Sequence, residues 1–149
     1  MSSASVIAKV SISELGIDDY RGLSEFRYQI RQFLSFSERA AREHGVEPQQ
    51  HQLLLALKGL PEGRRPTIGT IAERLCVEHH TAVTLTDRLE RAGLVQRSRG
   101  EHDRREVLLS ITERGQQLLW QLSALHREQL RTVGPKLQRA LAAIVASRS

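Results

Sequence analysis

The chain lacks most of what would mark it as secreted, membrane-spanning, metal-held or catalytic. Of 149 residues only one, Cys76, is cysteine, so no internal disulfide can form and a reducing compartment suits it. No apolar run approaches the ~20 residues that a membrane span needs. The first residues, MSSASVIAKVSISELG, have neither the basic start nor the long apolar stretch of a signal peptide. Together these point to a soluble cytoplasmic protein. No nucleophile elbow, phosphate-binding loop or H-E-x-x-H pattern is present, so no enzyme activity is expected. No repeat or low-complexity tract occurs either.

Six histidines invite a metal reading. His79 and His80, however, are neighbours on a predicted helix, and side chains about 100° apart chelate poorly. His44 and His51 flank a turn without a cysteine or acidic cluster at ligand spacing. No metal and no cofactor are expected. Cys76 falls at the end of a short helix, where small apolar residues usually pack, and is read as a buried structural thiol.

Lysine is also scarce: 19 of the 22 basic residues are arginine, against 17 acidic ones, for a net charge of +5. A modest positive excess is compatible with a polyanionic partner. Arginine favours forked contacts to phosphate or guanine over diffuse attraction. The length suits one compact domain.

Residues 1–17 alternate weakly and read as a loose N-terminal arm. Asp18 and Asp19 supply negative charge where a helix start favours it. Leu23, Phe26, Ile30, Phe33 and Leu34 then follow at helical spacing to a stop at Gly45. Pro48 opens a second helix, whose run Leu53–Leu57 is apolar on nearly every side and therefore central to the core. Gly59, Pro61 and Gly63 end it, and Arg64 and Arg65 make the next loop basic. Thr67 is an N-cap for a helix carrying Ile68, Ile71, Ala72 and Leu75. A last helical section runs from Thr112 to about Val133. Gly134-Pro135 is expected to interrupt it before Leu137, Leu141, Ile144 and Val145 continue an apolar face.

Between Thr67 and Gly115 two short helical patterns joined by a tight turn lead into two strand-like runs around a charged loop. The expected strands are Leu94–Arg97 and Glu106–Ile111, with Gly100 permitting the bend between them. A helix-turn-helix followed by a β-hairpin is a winged helix, which places one helix in a DNA groove. Within the second helix Ala82, Leu85, Thr86 and Leu89 share the packing face. His80, Thr81, Thr84 and Arg88 lie opposite, bordered by His79 and Val83. Thr and Val can contact a thymine methyl, His can donate to guanine, and Arg88 can clamp phosphate. In the wing Arg97, Arg99 and Arg104 are placed to touch phosphate. Asp103 and Arg105, two apart on an extended chain, can pair on one side.

The run Asp103-Arg104-Arg105-Glu106-Val107-Leu108-Leu109-Ser110-Ile111-Thr112-Glu113-Arg114-Gly115 resembles the D-x-R…V-x-L-T-x-x-G signature of the MarR (multiple antibiotic resistance regulator) family. Leu109 stands for Val and Ile111 for Leu, both keeping an apolar side chain on the same face. The resemblance implies a mainly α fold with a small β-hairpin wing, and with N- and C-terminal dimerisation helices. It implies a homodimer, a pseudo-palindromic double-stranded DNA partner, and Arg105 in the minor groove. Position 84 is often a long basic side chain in such proteins, yet here it is Thr84. The pair His79-His80 likewise replaces small or basic residues, so base preference does not carry over.

The expected layout is a single domain over residues 18–149. Its winged helix spans 48–115, and dimerisation helices span 18–45 and 112–147. A lone winged helix needs no such outer helices, which is why a second copy is expected to cover them. The alternative is that they fold back on their own domain. The resemblance further implies a small aromatic or phenolic effector between the outer helices and the winged helix. Tyr28, Phe33, Phe36 and Trp120 are candidate walls, with Arg27, Arg31 or His51 to meet an anion. The functional reading is a DNA-binding repressor. The alternative is a winged-helix module that binds protein, supported by Thr84 and the modest charge.

Overall fold

The computed structural model describes residues 14–146; most of the expected N-terminal arm, and Ser147, lie outside that range. The order is α1 (Ile17–Glu43), α2 (Pro48–Lys58), α3 (Ile68–Leu75), α4 (His79–Arg91), β1 (Val95–Arg99), β2 (Val107–Ile111) and α5 (Glu113–Ala146). This is the mainly helical fold with a two-stranded wing that the sequence implied.

Local chemistry sets the boundaries. Asp19 in the first turn of α1 accepts from the Gly16 amide at 2.8 Å, satisfying a donor the helix cannot use. Pro48 opens α2, and Gln50 reaches back to the Glu47 amide at 3.1 Å. Thr67 caps α3 by accepting from the Thr70 amide at 3.1 Å. That helix ends at Cys76, whose φ of +55° is left-handed, a conformation glycine usually supplies at helix ends. Cys76 is exposed, so the expected buried thiol is corrected: the reversal of the chain there turns its side chain outward.

The core lies where α2 meets everything else. Leu53, Leu54 and Leu57 pack with Ile71 of α3, Leu85 and Leu89 of α4, Leu94, Val95 and Leu109 of the wing, and Leu119 and Leu122 of α5. Burying each such side chain contributes roughly 1.5–3 kcal/mol. Leu55 departs from the expected all-round burial of α2: it is 44% exposed and looks into a cleft beside α5.

Antiparallel β1 and β2 pair Val95 with Ile111 through Arg99 with Val107. Thr67 bridges to Leu108, and the Leu109 amide donates to Pro66 at 2.8 Å, tying the start of α3 to the wing. The strands start later and run nearer the tip than expected on β1.

The expected break at Gly134-Pro135 is absent: α5 runs unbroken for 34 residues, roughly 50 Å. Proline there forfeits one helical hydrogen bond, a cost of about 3 kcal/mol in a free helix. Packing against α1 continues on both sides, with Leu122 before the proline and Ala140 after it buried, and holds the helix together.

Candidate nucleic-acid interface

Helix α4 has two faces. Ala82, Leu85, Thr86 and Leu89 are buried, and the Thr86 hydroxyl donates to Ala82 O at 2.7 Å, which lets a polar side chain sit in the core. On the other side His79, His80, Thr84 and Arg88 are exposed, with Thr81 and Val83 half-buried at the borders. The structure therefore brings all six expected residues onto one outward strip. Thr84 spends its hydroxyl proton on His80 O at 3.0 Å, leaving its methyl and an oxygen lone pair for a partner. A hydroxyl proton committed to backbone cannot also be offered to a base.

Asp103 and Arg105 pair differently from expectation. Residues 103–105 form a turn rather than a strand, so the two side chains do not meet. Instead the Asp103 carboxylate accepts from the Arg105 backbone amide at 2.9 Å. The aspartate thus shapes the turn that displays Arg105, an Asx turn rather than an ion pair. Other bonds brace the tip. Gly100 donates to Glu106 O at 2.9 Å, Arg99 donates to Arg104 O at 2.8 Å, and Arg65 reaches the Glu106 carboxylate at 2.6 Å. A Cβ on Gly100 would lie 2.7 Å from Asp103 O, so the tight wing tip requires glycine. Arg104 and Arg105 are both exposed.

Arg97 does not project toward a phosphate. Its guanidinium lies 2.6 Å from Asp87 and 3.0 Å from Glu90, and its amide donates to Glu90 at 3.1 Å. Partial burial works against its charge, but the Asp87 and Glu90 hydrogen bonds more than offset that and raise its pKa. Arg97 therefore rivets the wing to α4. The i+7 and i+10 spacing back to Glu90 and Asp87 was visible in the sequence, but only the turn at Gly93 brings them together.

The end of the motif has an equally mechanical explanation. The Thr112 hydroxyl donates to Gly93 O at 2.6 Å and accepts from the Gly115 amide at 3.1 Å, so it caps α5 and clamps the helix to the wing's entry. A Cβ on Gly115 would stand 2.2 Å from Leu94 O, a separation only glycine tolerates.

A second feature lies at the junction of α1, α2 and α5. A cleft of about 480 Å³ has an almost wholly apolar lining that includes Phe33, Leu55 and Leu130. Arg127 and Arg131 stand at its edge, and His51 and His126 sit in its wall. His51 is 2% exposed and its Nδ1 has no hydrogen-bond partner. Its ring lies 5.0 Å from that of His126. Burial, and secondarily the nearby His126, push its pKa down to about 4. The His126 Nδ1 faces Leu122 O, which can only accept, so Nδ1 carries the proton. In the neutral ring Nε2 then accepts from the Ser37 hydroxyl at 2.7 Å.

Of the expected effector residues, Phe33 and His51 line this cleft and Phe36 packs edge-on against His126. Arg27, Tyr28 and Arg31 are exposed on α1 outside its lining, and Trp120 is 73% exposed. His126, Arg127 and Arg131 were missed, although their position about two to three turns beyond Leu119 on one helix face could have drawn notice. Among the described residues no group of three or more His, Cys, Asp or Glu could hold a metal ion. No helix there is long and apolar enough to cross a membrane.

Comparison with known proteins agrees with this geometry. A model of the MarR family matches residues 44–106. The organic hydroperoxide resistance transcriptional regulator of Bacillus subtilis (strain 168) is 39% identical over 61 residues, covering 41% of this chain and 42% of that one. The chain thus aligns with less than half the length of that relative. Among solved structures, AbsC, a MarR family transcriptional regulator from Streptomyces coelicolor, superposes with a TM-score of 0.69, 20% identity and 82% coverage of both chains. The transcriptional repressor CouR, bound to a 23-mer DNA duplex, gives 0.64 at 27% identity, covering 91% of this chain and 98% of that one. With the winged helix, its braced wing and the motif contacts all in place, the chain has the fold of MarR family transcription regulators, and its residues 44–106 match that family's model.

Proposed function

We propose that the protein is a cytoplasmic homodimer that represses transcription by binding a pseudo-palindromic DNA site, and that a small aromatic or phenolic ligand releases it. The observation that carries this reading is the pairing of two exposed surfaces. One is the strip His79, His80, Thr81, Val83, Thr84 and Arg88; the other is the braced wing tip with Arg104 and Arg105. Helix α4 enters the major groove and reads base edges through its first two turns. The wing reaches the adjacent minor groove, where Arg105, displayed by the Asp103 turn, meets the concentrated negative potential. Arg99 and Arg104 meet phosphate, while Arg97 fixes the angle between helix and wing.

Support for the dimer comes from the outer helices. Leu15, Ile17, Tyr20 and Leu23 near the start of α1, and Leu141 and Val145 near the end of α5, are all 45% or more exposed. Scattered exposed apolar residues are ordinary, but six at adjoining helix ends form a face suited to a copy of itself. Two-fold pairing sets two α4 helices roughly 34–36 Å apart, one turn of DNA. The DNA-bound structure of CouR supports a DNA partner.

Fluorescence anisotropy tests the reading, using DNA from upstream of the protein's own gene beside a scrambled duplex of equal length. Selective binding that weakens steeply with salt supports it. Equal, weak binding to both would instead favour a winged-helix module that recognises protein.

A further inference from the structure

We propose that Arg65 and Glu106 are positioning residues for DNA binding: their ion pair ties the wing tip to the α2–α3 loop and holds the Glu106 carboxylate away from Arg105. This deepens the reading of Arg105 above and rests on it.

The base and one flank of the wing are fastened by other bonds. Leu109 donates to Pro66 O, Thr112 holds Gly93, and Arg97 joins β1 to α4. Beyond these, residues 98–107 are tied to the rest of the chain by one hydrogen bond among the described residues. It runs from the Arg65 guanidinium to the Glu106 carboxylate at 2.6 Å. Both of its ends are held in place. Arg65 precedes Pro66, which restricts its backbone, and its carbonyl accepts from the Thr67 amide at 2.9 Å. Glu106 donates its amide to Asp103 O at 3.1 Å and accepts from the Gly100 amide at 2.9 Å. Its carboxylate lies over the bare Gly100, where a Cβ would stand 3.0 Å from Oε2. The Glu106 side chain is only 23% exposed, so water screens this pair less than an ordinary surface pair.

Charge gives the pair its second task. Arg105 has an acidic residue two places before it and another directly after it. Asp103 engages the Arg105 backbone amide, and Glu106 engages Arg65. A released Glu106 would compete with DNA for the Arg105 guanidinium and repel nearby phosphate. With both carboxylates occupied, Arg105 is exposed and forms no ion pair among the described residues. Arg65, flagged by the sequence only as part of a basic loop, thus acts on DNA through Arg105 rather than by touching it.

The test is fluorescence anisotropy across a salt series, with a labelled duplex that the protein has selected from a random pool. The full chain is compared with Arg65→Met, Glu106→Gln, Arg105→Ala, and the two doubles that add Arg65→Met to each of the others. Arg65 is exposed, so its replacement leaves the fold intact, which thermal melts verify. The expected result is a loss of about fivefold for Arg65→Met at about 0.15 M salt, with the salt slope unchanged. The same substitution costs less than about twofold once Glu106 is Gln or Arg105 is Ala, because no carboxylate is then released or no guanidinium misplaced. Parental affinity for Arg65→Met overturns the proposal and spares the role of Arg105. So does a salt slope lower by about one with the full cost retained beside Glu106→Gln, which makes Arg65 a phosphate contact. The full cost retained beside Arg105→Ala also overturns it, since Arg65 would then act by another route. Parental binding by Arg105→Ala itself overturns both this proposal and the wing reading beneath it.

Discussion

The winged helix and the outer helices solve their packing in opposite ways. Within the winged helix, the turns around the wing are closed by the chain's own groups. Thr67 caps α3, Arg97 rivets β1 to α4, Asp103 shapes the tip, and Thr112 clamps α5 to Gly93. Helices α1 and α5 pack on each other along their length, yet at their adjoining ends they leave Ile17 at 63% and Val145 at 69% exposure. One region is complete within a single chain, and the other reads as half of something. The proposed dimeric regulator, holding two rigid reading heads at a fixed separation, needs this division, since rigidity belongs in the head and association in the arms.

The comparison breaks most visibly at the arms. Ile17→Glu combined with Val145→Glu is expected to yield a monomer by sedimentation with its helical circular dichroism intact. Without the paired head, affinity for a two-half-site duplex falls by about 10²- to 10⁴-fold. Full retention of the dimer would place the interface elsewhere.

Within the head, Gly115→Ala forces a methyl against Leu94 O. Urea denaturation should register a loss of about 3 kcal/mol. A loss below half a kilocalorie would mean the α5–wing approach is looser than its geometry implies.

His51 sits where the two regions meet, and its depressed pKa makes the junction pH-sensitive. Between about 4 and its ordinary 6.5 the unfolded chain holds a proton there that the native chain refuses. Stability therefore rises with pH across that window, is constant above it, and is lost as pH falls through it, by up to about 3 kcal/mol. Thermal melts at several pH values should show this slope, and His51→Gln should remove it.

The smallest expected effect is at the wing tip. Arg105→Ala should weaken binding to all DNA sequences by about 1–2 kcal/mol, reduce the salt slope by about one, and leave the dimer whole. Asp103→Ala should do part of the same, because it loosens the turn without removing the cation. Parental binding by Arg105→Ala at every salt concentration would remove the wing from the interface.

Helical periodicity revealed both faces of α4, since Leu85 and Leu89 fall one turn apart and His80 and Thr84 opposite them. The signature from Asp103 to Gly115 marked the wing because its residues make short-range contacts whose spacing survives in sequence. What escaped notice depends on distance. Arg97 looked like a phosphate contact because its carboxylate partners lie on another element. Cys76 looked buried because a left-handed φ cannot be read from a cysteine. Pro135 looked like a break because local propensity says nothing of α1 packed alongside. The cleft was half visible: His51 stood out, but His126 lies 75 residues away and meets it only where α2 packs against α5.

The central claim is that the arms hold two heads one DNA turn apart, and spacing tests it directly. A duplex selected by the protein from a random pool would be compared with the same duplex carrying roughly five extra base pairs, half a turn, between its half-sites. Binding of two subunits per duplex, with affinity falling toward that of a single half-site on the insertion and returning when roughly ten base pairs are inserted, is the expected result. Affinity indifferent to the insertion would contradict the account.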